Sequence, residues 1–340
     1  MPTDLLLPQV TDHDTTDLAV RAEELGYDGV WLGELWGESS VVRLTDIAAH
    51  TDTVGIGTAI LNVFSRSPAV LAMTAATLDE VSDGRFRLGV GTSTRKAVED
   101  LHGATWDDPN PIRRAHETIA LVKAFLGDRE AVERGAIDAD GRVDYDGEVF
   151  AVQDFPALDV DVPVYHAALG RANRRVVARL CDGWIPHNVP FPDLQESFDY
   201  IDEQMRAAGR DGEVDLDVAP YVPAAVSDDP AAARDTIRGH VAYYVGSGRG
   251  YQEAVAGRFP EEAEAVAEAW REGDRRAASA AVTDEMVEAL GVAGTPDEAR
   301  EQFRAVADID VVTRPMVTIP GNADDETVER TIEALAPSHE

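Results

Sequence analysis

Cysteine and lysine are almost missing from this 340-residue chain. Cys181 is the only cysteine, which rules out an internal disulfide and a thiolate zinc cluster. Only Lys96 and Lys123 supply lysine, and the 30 basic residues face 64 acids, a formal charge of −34. Such a surface repels nucleic acid and anionic membranes. No apolar run approaches the roughly 18 residues of a membrane span. The N-terminal MPTDLLLPQVTDHD carries acids where a secretory leader needs a basic segment. These absences describe a soluble, cytoplasmic protein whose partner is a small molecule.

Acids are spread along the whole chain, and arginine supplies nearly all of the basic residues. Carboxylates distributed in this way stay hydrated and keep molecules apart when salt shortens the Debye length to a few Å. The composition points to a halophilic, haloarchaeal cytoplasm.

Apolar runs of strand type fall at 4–9, 28–33, 53–61, 85–91, 162–168, 182–188, 215–225 and 309–319, eight in all. Helical periodicity separates them. Ser67-Pro68, Asn110-Pro111, Asp229-Pro230 and Thr295-Pro296 each place a capping side chain before a proline that sits where a missing N–H costs nothing. Thr295 and Glu298 have capping-box spacing. Gly26 and Gly84 suit helix C-terminal positions. Eight strand–helix units predict an α/β fold, a (β/α)8 TIM barrel, in one domain over 1–340. A hairpin insertion over about 128–160 and a helical insertion over about 248–292 interrupt the alternation.

The active site of such a barrel lies at the C-terminal ends of its strands. Those ends carry aromatic and small residues, few charges and no set of metal ligands, so a metallohydrolase is disfavoured. No serine elbow, P-loop or complete dinucleotide fingerprint is present. Gly89-Val90-Gly91 is a bare GxG that reads as close strand packing. In AALGRANRRV (167–176) a strand runs into small residues and a helix then opens at Gly170 and Arg171. That start suits a phosphate, or leaves Arg171 as an ordinary surface arginine. His166 and His187 stand at strand ends with no role assigned.

The stretch TVGIGTAILNVFSRSPA (53–69) passes from a strand through Asn62, Ser65 and Arg66 to a proline helix start with no tight-turn glycine. With its continuation to GRFRLGVGTS it resembles the third and fourth strands of the luciferase-like superfamily, in its coenzyme F420-dependent branch. The resemblance extends through ATWDDPNPIRRAHETIALVKAFLG, DVPVYHAALGRANRRVVARLCDGWIPHN and TDEMVEALGVAGTPDEAREQF. It is nearest to methylenetetrahydromethanopterin reductases.

The resemblance implies a bulge with a non-prolyl cis peptide between Ala59 and Ile60, supporting the back of a deazaflavin ring, with Asn62 facing the ligand. It further implies that Thr92, Ser93 and the backbone of Ala167, Ala168, Gly170, Arg171 and Ala172 hold the coenzyme's polyol and phosphate. Glu34 occupies the position of an acid near the ring and Trp36 that of an aromatic. Leu35 replaces a frequent histidine. Leu5 falls where the reductases carry a proton-donating glutamate, which leaves Glu34 or Gln9 to act as the acid. The implied function is oxidoreduction, a hydride passing between coenzyme F420 and a small organic substrate in one-carbon metabolism, such as methylenetetrahydromethanopterin or methylenetetrahydrofolate. The implied assembly is a homodimer or homotetramer. The alternatives are an FMN-dependent monooxygenase on the same scaffold and a catalytically degenerate binding homologue.

Overall fold

The computed structural model describes residues 1–9, 11–107, 110–128, 136–138, 140–210 and 216–337. Eight strand positions close on themselves as a parallel barrel: β1 (Asp4–Leu6), β2 (Gly29–Leu32), β3 (Gly55–Thr58) continued by β4 (Leu61–Asn62), β5 (Phe86–Gly91), β8 (Val164–His166), β9 (Gly183–Trp184), β10 (Asp217–Val218) continued by β11 (Tyr221–Val226), and β13 (Met316–Thr318). β1 pairs with both β2 and β13, and β11 with β13, which completes the circle. All eight sequence-predicted runs hold a barrel strand. A short β12 (Val292–Gly294) additionally pairs with the end of β11. The (β/α)8 barrel predicted from the alternation of strand and helix is therefore the observed architecture.

The predicted helix starts are built as expected. Ser67 accepts from Val70 N–H, Asn110 from Ile112 N–H and Asp229 from Ala231 N–H, while the Glu298 carboxylate takes the Thr295 N–H at 2.8 Å. A large apolar shell lies between strands and helices, including Leu5, Leu7, Val30, Ile56, Leu88 and Val164. A second, smaller cluster fills the barrel itself with Trp31, Ala59, Tyr165, Ile185, Ala219 and Met316. The alternation of side chains along a strand makes the division sharp. Leu5 belongs to the outer shell, whereas Leu6, opposite Trp31, packs against the inner cluster. The Leu5 side chain thus faces the outer shell, and the inward side chain next to it is Leu6.

Glycine lets two large rings fill the barrel. A Cβ on Gly57 would lie 2.3 Å from the Trp31 ring, and one on Gly183 would lie 2.1 Å from the Tyr165 ring. Below them Asp4 takes the Trp31 indole N–H at 2.7 Å and both arms of Arg314, a closed and buried ion pair.

Both insertions are present. β6 (Arg142–Asp146) and β7 (Ala151–Pro156) form an antiparallel hairpin. Residues 129–135 and 139 of the predicted 128–160 segment lie outside the described residues. The second insertion is helical: Arg249–Ala256, Pro260–Arg271, Arg275–Ala280 and Asp284–Leu290 pack with the helix Pro230–Ser247 around Val241, Val245, Val266 and Met286. Among the described residues no helix is long and apolar enough to cross a membrane.

Candidate functional site

The cis peptide expected between Ala59 and Ile60 is there. It sits in a bulge: Gly57 pairs with Arg87 but Leu61 with Val90, so the β3–β4 side carries one more residue than β5 across the same interval. Gly89 makes room for it, since a Cβ there would lie 1.9 Å from the Thr58 carbonyl. The GxG is accordingly a packing device. Both carbonyls of the bulge are engaged. The Tyr221 hydroxyl donates to Ala59 O at 2.6 Å, and Glu34 N–H to Ile60 O at 3.3 Å.

Around the bulge the C-terminal ends of four adjacent strands, β2, β3–β4, β5 and β8, form one arc of the barrel mouth. The arc brings together Glu34, Ala59, Ile60, Asn62, Thr92, Ser93, Ala167, Gly170, Arg171 and Ala172. Its floor is largely apolar: Leu6, Ile60, Ala167 and Tyr221 lie on the inner cluster, and a Cβ on Gly91 would sit 3.0 Å from Ile60. Asn62 is buried, and its Oδ1 accepts from Phe64 N–H while Nδ2 has no partner. Thr92 and Ser93 are half-buried on the rim, Ser93 at φ 61°. The helix Arg171–Leu180 starts at Gly170 without a capping side chain. Beside it the Arg174 Nε is buried with no partner, and the Arg171 guanidinium lies over the Tyr200 ring at 4.2 Å.

Some predicted residues stand differently. Ala168 packs in the outer shell, its carbonyl taken by the Trp184 indole N–H. Gln9 is exposed and spends its amide on the Gly33 carbonyl. Trp36 is 79% exposed and Leu35 49%, so both belong to the rim. Glu34 is a fixed carboxylate. Arg66 holds both its oxygens, and Ser40 adds its N–H and hydroxyl at 3.1 and 3.2 Å. Burial alone raises its pKa, but Arg66 and Ser40 outweigh burial and leave it below the usual carboxylate range. A carboxylate held as an anion in this way is a poor proton donor, which bears against Glu34 as the acid.

Sequence reasoning passed over the opposite wall. His187 stands 4.6 Å from the Tyr221 ring and 4.3 Å from Tyr244, centroid to centroid, with Tyr251 at 5.3 Å. Its Nε2 lies 3.5 Å from Nε2 of His240. Burial depresses both imidazoles, His187 further through His240, and brings His240 down to about 4. The signal for this wall was HVAYY, which puts His240 and Tyr244 one turn apart on one helix face. His166 is buried between Val90 O and Asn173 Oδ1, a packed polar residue. Among the described residues no group of three or more His, Cys, Asp or Glu could hold a metal.

Comparison with known proteins agrees with this geometry. Residues 4–313 match the luciferase-like monooxygenase family. The chain is 29% identical over 295 residues to a 5,10-methylenetetrahydromethanopterin reductase of Methanolobus tindarius, covering 86% of each. It is also 29% identical over 239 residues to an F420-dependent glucose-6-phosphate dehydrogenase of Kineococcus radiotolerans, covering 65% of this chain and 66% of that protein. The solved structure of the coenzyme F420-dependent tetrahydromethanopterin reductase from Methanopyrus kandleri superposes with a TM-score of 0.77 at 23% identity, over 99% of this chain and 96% of that one.

Proposed function

The chain belongs to the luciferase-like monooxygenase family, and from that premise we propose that it is an oxidoreductase using coenzyme F420. The observation that carries this reading is a pair of buried donors without acceptors, Asn62 Nδ2 at the end of the bulge strand and Arg174 Nε on the helix that opens at Gly170, beside an apolar floor that includes Ile60 and Ala167. A flat ring with carbonyl groups and a phosphate answers those needs. Ala59, Ile60 and Ala167 would back the ring, Asn62 would donate to it, and Gly170, Arg171 and Arg174 would hold the phosphate at an uncapped helix start. Two similar proteins whose names carry this coenzyme, a tetrahydromethanopterin reductase and a glucose-6-phosphate dehydrogenase, are named for different substrates, which supports the coenzyme over any one acceptor.

When bound, coenzyme F420 supplies hydride chemistry at carbon. This chain's part is to orient the reactants, exclude water and handle the proton. Glu34, paired with Arg66, positions the loops beside the bulge. Leu6 offers no proton from the first strand. The His187–His240 couple, kept neutral by burial, would orient the substrate through its imidazole nitrogens rather than supply the proton, with Nε2 of each imidazole facing the other. For substrate we favour a one-carbon unit on a reduced pterin or folate, on the strength of the reductase relatives. An FMN monooxygenase is the second reading, favoured by the family at large.

The test is a fluorescence titration with the coenzyme. Asn62→Leu and Arg174→Gln each remove one orphan donor and are expected to weaken binding about tenfold or more, the scale of a buried or charge-assisted hydrogen bond. Unchanged affinity in both would remove the mouth as the coenzyme site.

A further inference from the structure

Three arginines near the mouth are neutralised by carboxylates. Arg66 pairs with Glu34, Arg95 with Glu99 and Asp107, and Arg113 with Glu117 and Glu148. Arg114, beside them in the first turns of the helix Pro111–Leu126, differs. Its guanidinium lies over the Phe64 ring at 4.8 Å and the Phe150 ring at 5.3 Å, and its Nε is buried without a partner. The carboxylate nearest in sequence, Glu117, is already saturated. Its oxygens take Arg113 Nε and the N–H groups of Glu148, Val149 and Phe150, all within 3.1 Å.

Rings on its faces leave a guanidinium only its edge for hydrogen bonding, and the edge is where its N–H groups lie. Burial lowers this arginine's pKa, with Glu117 opposing. Arg114 shares with Arg174 a buried Nε that no carboxylate satisfies, in a chain with 64 acids. Phe64 also connects it to the mouth, because its N–H is held by Asn62 Oδ1 and Asn62 Nδ2 is itself buried without a partner. On the outer side Trp106 stacks on Phe64 at 5.8 Å and 13°. Two donors without acceptors thus lie on either side of one phenylalanine.

We infer that Arg114, between Phe64 and Phe150, is the receptor for an oxyanion, a phosphate or carboxylate borne by a ligand that enters the barrel mouth. The hairpin insertion acquires a role from this: Glu117 clamps its turn so that Phe150 covers one face of the arginine. The oxyanion belongs either to the coenzyme proposed above or to a second ligand bound beside it.

Arg114→Lys keeps the charge and a cation over the rings but removes the planar, stacked fork. Inorganic phosphate, titrated against chloride at constant ionic strength and followed by tryptophan fluorescence with Trp106→Phe as signal control, is expected to saturate the wild type and to bind R114K at least tenfold more weakly. Melting temperatures of the two should agree, which separates recognition from loss of a staple. Coenzyme F420 titrated into both proteins then distinguishes the sources. Affinity lowered in R114K places the oxyanion on the coenzyme, and equal affinity with lost phosphate binding places it on a second ligand. A wild type that does not respond to phosphate, or an R114K that responds equally, overturns the inference whether or not the coenzyme binds.

Discussion

Glu34 and His240 carry opposite burdens at the mouth. Both resist protonation in the folded chain, Glu34 because Arg66 and Ser40 hold its anion against burial, and His240 because burial disfavours its cation. Each contributes stability that disappears on acidification, in separate windows. Unfolded histidine takes up its proton near pH 6.5, while folded His240 waits until about 4, so stability declines as pH falls between those values. Glu34 acts lower, below the usual glutamate value of about 4.3. Urea unfolding at pH 7 and pH 5 is therefore expected to differ by about 2 kcal/mol from His240 alone, and His240→Phe should flatten that difference. An unchanged pH 7-to-5 drop in the variant would show that the imidazole is not the titrating group. At this scale the sequence was least legible. Glu34 was recognisable as a site residue, but its ionisation depended on Arg66, 32 positions away. His187 and His240 are separated by 53 positions and meet only across two elements.

Elements were far more legible, because their signals are local. Proline after a capping residue fixed four helix starts, and hydrophobic runs located every barrel strand. The bulge was readable only through the family resemblance, since nothing in TAILN announces an extra residue by itself. Which side chain of LLL faces inward was not readable, because a uniformly apolar run gives no alternation to tell inward from outward. The hairpin was visible, but its anchor was not: Glu117 looks like any helical glutamate, yet it is fully buried and holds three successive backbone N–H groups. Glu117→Gln should cost about 3 kcal/mol or more, because an amide cannot replace an anion that serves four donors. Limited proteolysis is expected to cut the variant first between β6 and β7. Wild-type resistance there would mean that the hairpin is held by its other contacts.

For the whole molecule, charge and coenzyme set the terms. A formal charge of −34 repels itself at low ionic strength, where the Debye length is about 10 Å at 0.1 M, and much less at 1 M, where it is about 3 Å. The melting temperature should climb as potassium chloride rises from 0.1 to 2 M, and a flat profile would contradict an adaptation to salt. The central claim is the coenzyme, and equilibrium dialysis of the purified protein against coenzyme F420 and FMN together tests it most directly. The expected result is one F420 per chain with FMN left in the free pool; FMN retained in place of F420, or neither retained, would contradict it.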